Sequence, residues 1–254
     1  MAKIIEMLGP SGVGKSSLYT ELQNRWSVND SWAVYHDFIY RRKKRDLVTF
    51  ALRLKSFWSK VHNSDYFWND GNLKDSQREF AAAYPEFMSV LMDLIQDHTK
   101  SGFNGKDKRF LVTFFTLKSI GRLHAIMERT EDKRTCLIDE ALLSRVMHIN
   151  SPTFTSEDLE MYLDAMPLPD GLIYLNAPSE IVLNRIRKRD KISTIHEGLS
   201  ESEILSYTEN TQQMMEAVIK FLKKREIPVL ELDARNSTGK LAVEAITFLS
   251  DYSK

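Results

Sequence analysis

The sequence predicts an α/β fold, a single domain over 1–254 built on a five-stranded parallel sheet with helices on both faces. Three observations predict it. Four short apolar runs and a weaker fifth read as buried parallel strands. Long helical patterns separate them, in the alternation that βαβ units require. A glycine-rich turn joins the first run to the first helix.

The elements follow in order. Lys3–Leu8 is the first strand, and Lys15–Trp26 the helix after it. Trp32–His36 is the weaker strand. A helical insertion at about 45–130 follows, with helices at Gln77–Thr99 and Lys106–Arg129. Asn63–Asp75 and Ser101–Lys108 are polar and glycine-bearing, and read as loops. Thr135–Asp139, Gly171–Asn176 and Pro228–Asp233 are the remaining strands. Helices at Ser179–Arg189, Glu201–Arg225 and Thr238–Tyr252 complete the pattern.

Composition narrows the function classes. Apolar residues make up 43% and charged residues 28% of 254 positions, as in soluble globular proteins. Basic and acidic side chains balance at 35 each, which argues against a nucleic-acid partner. Cys136 is the one cysteine, so no intramolecular disulfide forms and a reducing cytoplasm is the expected compartment. No signal peptide, membrane span or membrane partner is expected. The six histidines form no close metal-binding spacing, so no structural zinc site is expected. Oligomeric state stays open, a homodimer included.

The turn carries the chemistry. Gly9, Pro10, Ser11, Gly12, Val13, Gly14, Lys15 and Ser16 match G-x-x-x-x-G-K-[ST], the P-loop pattern, and Ser17 follows. The glycines let the backbone turn its N–H groups towards phosphate, and the next helix adds its positive dipole end. Lys15 is placed to reach the β- and γ-phosphates, and Ser16 to place a hydroxyl on Mg²⁺. These residues predict ATP and Mg²⁺ as ligands. Asp139, at the end of the run TCLID, is the candidate second contact to the metal. Glu140 beside it also suits a hydrolytic ATPase, where it would activate water. No N-K-x-D sequence occurs, which argues against a GTPase.

Residues 170–190 read DGLIYLNAPSEIVLNRIRKRD, and 227–249 read IPVLELDARNSTGKLAVEAITFL. With the P-loop, these stretches resemble the thymidylate kinase and deoxynucleoside kinase branch of the P-loop kinases. The likeness covers the first 40 residues and most of 135–250, and is weak across 45–130. It implies a small-molecule kinase with an arginine-bearing lid at about 185–200. Arg185 and Arg189 stand four apart on one helix face and would stabilise the transferring phosphoryl group, or else form a solvated helix end. The resemblance further implies that an acid at the end of the second strand, here Asp37, takes the proton of an acceptor hydroxyl. Asp37 reads otherwise as a turn cap.

Arg41 and Arg42 open the run RRKKR and are candidates to bind an anionic acceptor, or to form a solvated helix start. The family's acid-arginine pair after the third strand is replaced by Asp139-Glu140, with Arg145 six residues past Asp139. Glu140 and Arg145 are therefore candidate acceptor-binding residues. Trp58, Tyr66, Phe67 and Trp68 read as core or as a stacking surface. The expected activity is ATP-dependent phosphoryl transfer to a nucleoside, a nucleotide or a sugar-like metabolite.

Overall fold

The strands form because their apolar runs can be covered on both faces. In β1 (Ile4–Leu8) all five side chains are buried, so helices cover the sheet front and back. The computed structural model describes residues 2–27, 30–35, 70–100, 105–128, 131–189 and 196–252. Within them the chain runs β1, α1 (Lys15–Arg25), β2 (Trp32–Val34), α2 (Asp70–Ala83), α3 (Pro85–His98), α4 (Arg109–Met127) and β3 (Thr135–Ile138). It continues through α5 (Leu142–Ile149), α6 (Ser156–Ala165), β4 (Gly171–Asn176), α7 (Ser179–Arg187), α8 (Glu201–Lys224), β5 (Val229–Asp233) and α9 (Thr238–Tyr252).

The sheet has five parallel strands in the order β2-β3-β1-β4-β5. Ile5 registers with Leu137 on one side and Gly171 on the other. β1 is thus central, and its carboxyl end opens between strands that come much later in the chain. Open parallel sheets bind ligands at such a crevice. Asp170 fixes the opposite end, its carboxylate accepting from the Ile4 N–H at 2.7 Å. α1 buries Leu18 and Leu22, α9 buries Leu241, Ala245 and Leu249, and the two helices pack together.

Four expectations need correction. The helix expected over Gln77–Thr99 is two helices, because Pro85 at the start of α3 cannot supply the N–H to continue α2. Asp70–Asp75, read as loop, is the first part of α2. The second strand ends at Val34, and His36 lies outside the described residues. α5 and α6 fill the connection after β3, where no helix was expected. α6 starts on a capping box: the Thr155 hydroxyl accepts from the Asp158 N–H, and the Asp158 carboxylate from the Thr155 N–H at 2.8 Å.

The insertion is fastened to the sheet domain by aromatic packing. Phe87 meets Phe80 and Tyr162 edge to face at 6.0 and 5.3 Å between ring centres. The Tyr162 hydroxyl donates to the Leu142 carbonyl at 2.8 Å. α4 is, among the described residues, the one helix long and apolar enough to cross a membrane by length and composition. It packs against α2 and α5 and buries Ile120, Leu123 and Ile126 inside the fold.

The central strand carries an acid in the core. Glu6 lies in mid-β1 at 1% exposure, and its carboxyl accepts from the N–H groups of Ala141, Leu143 and Ser144 at 2.9, 3.1 and 2.9 Å. These are the unpaired donors of the α5 N-terminus. No side chain at the helix's own N-cap, Ala141, meets them. Burial raises the Glu6 pKa from 4.5 to about 7 against the pull of these N–H bonds.

Glu6→Ala would orphan all three N–H groups and lower stability by about 3 kcal/mol or more, readable by urea unfolding. The pH dependence has a definite sign. The unfolded chain releases this proton near 4.5 and the folded chain near 7, so the carboxyl's contribution falls as pH rises through that window. Glu6→Gln cannot titrate. Its deficit relative to the native chain should be larger at pH 5 than at pH 8, and an equal deficit at both would refute the assignment.

Candidate functional site

The loop between β1 and α1 is held by sterics as much as by hydrogen bonds. A Cβ at Gly9 would stand 2.5 Å from the Leu175 carbonyl oxygen. Gly12 adopts φ +94°, and a Cβ there would stand 2.6 Å from Ile186 Cγ1. Only glycine fits either position. The Val13 N–H donates to the Pro10 carbonyl at 3.2 Å and closes the turn. α1 then begins at Lys15 with no side-chain cap and no acid in its first turn. Its first N–H groups therefore have no side-chain cap, the arrangement in which a helix N-terminus can take an anion.

Lys15 folds back over the loop, its ammonium donating to the carbonyls of Gly9 and Pro10 at 2.6 and 3.2 Å. Burial holds its pKa below that of a free lysine, against the pull of Glu140. The loop and Lys15 form one wall of a cavity of about 340 Å³, to which Gly9, Ser11, Gly12 and Ser16 also contribute.

The carboxyl end of β3 supplies a second wall. Glu140 faces the cavity, whereas Asp139 is not among the lining residues. Burial, and then Glu140, push the Asp139 carboxyl above its ordinary range. Arg145, one turn into α5 and 6% exposed, reaches back to form an ion pair with Glu140. Burial raises the Glu140 pKa, but Arg145 and then Lys15 outweigh it, leaving the carboxyl below its ordinary value. An acid-arginine pair thus forms in space where the sequence separates its members. His148 lies on the same helix, and burial followed by Arg145 lowers its pKa to about 4. It is neutral at physiological pH.

The two arginines expected to act together have different positions. The Arg185 guanidinium donates to the Val13 carbonyl at 2.5 Å and the Ala234 carbonyl at 2.7 Å. It is engaged in tying the glycine loop to the segment after β5. Arg189 lies beyond the end of α7 and lines the cavity. Arg187 pairs with Glu201. Residues 190–195 of the expected lid lie outside the described residues. His196 is 2% exposed and meets Tyr207 edge to face at 5.9 Å.

The sequence reading missed the insertion's contribution. Lys108, at the start of α4, lines the cavity with Leu111, Val112 and Phe115, and Asn150 enters from the end of α5. Their positions carry no motif. Ser17 is on α1 and exposed, outside the cavity lining. Asp37, Arg41 and Arg42 lie outside the described residues, as do Trp58, Tyr66, Phe67 and Trp68. Cys136 is buried mid-strand, where it packs. Among the described residues no group of three or more His, Cys, Asp or Glu side chains could hold a metal. Ser16 and Asp139 are hard oxygen donors of the kind Mg²⁺ takes together with substrate phosphates. Compared with known proteins, the chain matches no family model and no curated protein sequence.

The two arginines can be separated by experiment. Arg185→Ala removes two charged hydrogen bonds and should cost about 1–3 kcal/mol of folding stability. Arg189→Ala should change stability by no more than about 0.5 kcal/mol. Urea unfolding of both variants is the measurement, and equal losses would reject the distinction.

Proposed function

We propose that the chain is a P-loop phosphotransferase that moves the γ-phosphoryl group of ATP to a small-molecule acceptor. The observation that carries this reading is the joining of two things in one crevice. One is a glycine loop with uncapped helix N–H groups and a lysine folded onto it. The other is the rest of the cavity that the loop walls, lined by Lys108, Arg145 and Arg189 from three other segments. The resemblance of the sequence to nucleoside and nucleotide kinases supports the same reading.

The roles follow from the chemistry. Loop N–H groups and Lys15 hold the donor's phosphates. Mg²⁺, held by Ser16 and Asp139 together with the phosphates, would supply charge neutralisation. The acceptor oxygen attacks the γ-phosphorus and forms the new P–O bond. The bond to the β–γ bridging oxygen breaks, and its electron pair leaves with ADP. Arg189 stabilises the charge spread over the moving group. A hydroxyl acceptor gives up its proton to a carboxylate base, for which Asp37 remains the proposed residue.

Hydrolysis driven by Glu140 is the weaker reading. A glutamate paired with Arg145, its pKa lowered, is a poor base for water.

Lys15→Ala should abolish transfer and weaken ATP binding in a protein that still unfolds cooperatively. Full activity would reject the loop's role. Asp139→Asn should raise the Mg²⁺ concentration needed for half-maximal rate while leaving the fold intact. An unchanged Mg²⁺ titration would move the metal role elsewhere. Inorganic phosphate released at the full rate with no acceptor present would favour the ATPase.

A further inference from the structure

Four cationic side chains line the cavity, Lys15, Lys108, Arg145 and Arg189, with Glu140 the one acid among the lining residues. The loop, Lys15 and Arg189 account for the donor. Lys108 and Arg145 remain, and Glu140 neutralises only one of them. Arg145 is buried, yet its Nε has no hydrogen-bond partner. The Asn150 side-chain amide, in the same lining, has a buried Nδ2 that is also unpartnered. A buried donor without a partner costs about 1–3 kcal/mol, so such donors gathered in one cavity need an explanation. Neither Lys108 nor Asn150 belongs to the loop motif. They enter the same lining from the start of α4 and the end of α5.

Apolar side chains share the rest of the lining with Ser144, Tyr207 and Thr211. Leu111, Phe115, Met147 and Met215 form a surface that an inorganic anion alone does not require. His148, kept neutral by burial and by Arg145, adds no charge to this surface.

We propose that Arg145, Lys108 and Asn150 form a second anion subsite, which holds an anionic group carried by the acceptor while the acceptor's apolar body lies on Leu111, Phe115, Met147 and Met215. The acceptor class is then a phosphomonoester or similar anion with a flat or apolar body, and not an uncharged nucleoside or sugar. The proposal rests on the phosphotransferase reading.

The test uses 1-naphthyl phosphate as the probe, titrated calorimetrically into protein saturated with Mg²⁺ and a non-hydrolysable ATP analogue. The probe should form a ternary complex, and 1-naphthol should bind at least about tenfold more weakly. Lys108→Ala and Asn150→Leu should each weaken the probe by about tenfold and leave the ATP analogue's affinity unchanged. Arg145→Gln serves only as support, since it strands Glu140. Competition between probe and ATP analogue, equal binding of 1-naphthol, indifference to both substitutions, or no probe binding would each overturn the subsite. Failure of the ATP analogue to bind would instead remove the phosphotransferase reading. Titrating nucleotide-free protein then decides the subsite separately: sensitivity to Lys108→Ala but not to Lys15→Ala supports it, and the reverse overturns it.

Discussion

The Glu6 carboxyl is the constraint on which the site hangs. It sits in the central strand, two residues before the strand ends in the glycine loop. It holds the first N–H groups of the helix that bears Arg145, His148 and Asn150. One wall of the cavity follows from β1 and the other from α5, so a single buried side chain sets the distance between them. A polar group in this place is costly unless every lone pair is used, and the open end of a helix is a good way to use them. The expense is local, while the benefit is a rigid link between two walls of the cavity.

The glycine loop is fixed from outside as well. Ile186 and Val182 of α7 pack where a side chain at Gly12 would be, and Arg185 from the same helix holds the Val13 carbonyl. The helix expected to provide a moving arginine is instead a brace for the loop, and Arg189, from the segment just past it, lines the cavity. A loop braced in this way would spend little binding energy on ordering itself when a ligand arrives.

The sheet and the loop were legible because both have patterns that depend on near neighbours. Buried parallel strands are continuous apolar runs, and glycine spacing reports a turn directly. Other features depend on distant partners and left little trace. The role of Arg185 is decided by carbonyls in two remote loops, which spacing along a helix cannot indicate. Pro85 was visible, but the apolar period through Phe80, Tyr84, Phe87 and Leu91 continues across it and suggested one helix. α5 is short and takes its cap from Glu6, so its start has no local signal. α6 did have one, the Thr155–Asp158 box. Glu6 was visible as a lone acid in an apolar run, and only the tertiary structure shows what it faces.

The same acid matters before the fold exists. The register partners of Ile5, Leu137 and Gly171, are synthesised long after β1 has left the ribosome. Until then Ile4–Leu8 is an unpaired β-prone segment, of the kind that joins its copies on other chains. In that exposed state the Glu6 carboxyl is ionised, since only later burial raises its pKa. A charge in the middle of the segment keeps nascent chains from stacking strand on strand. The side chain that later anchors α5 thus sets a like charge at the centre of each unpaired copy of the segment, the arrangement that in general disfavours strand stacking.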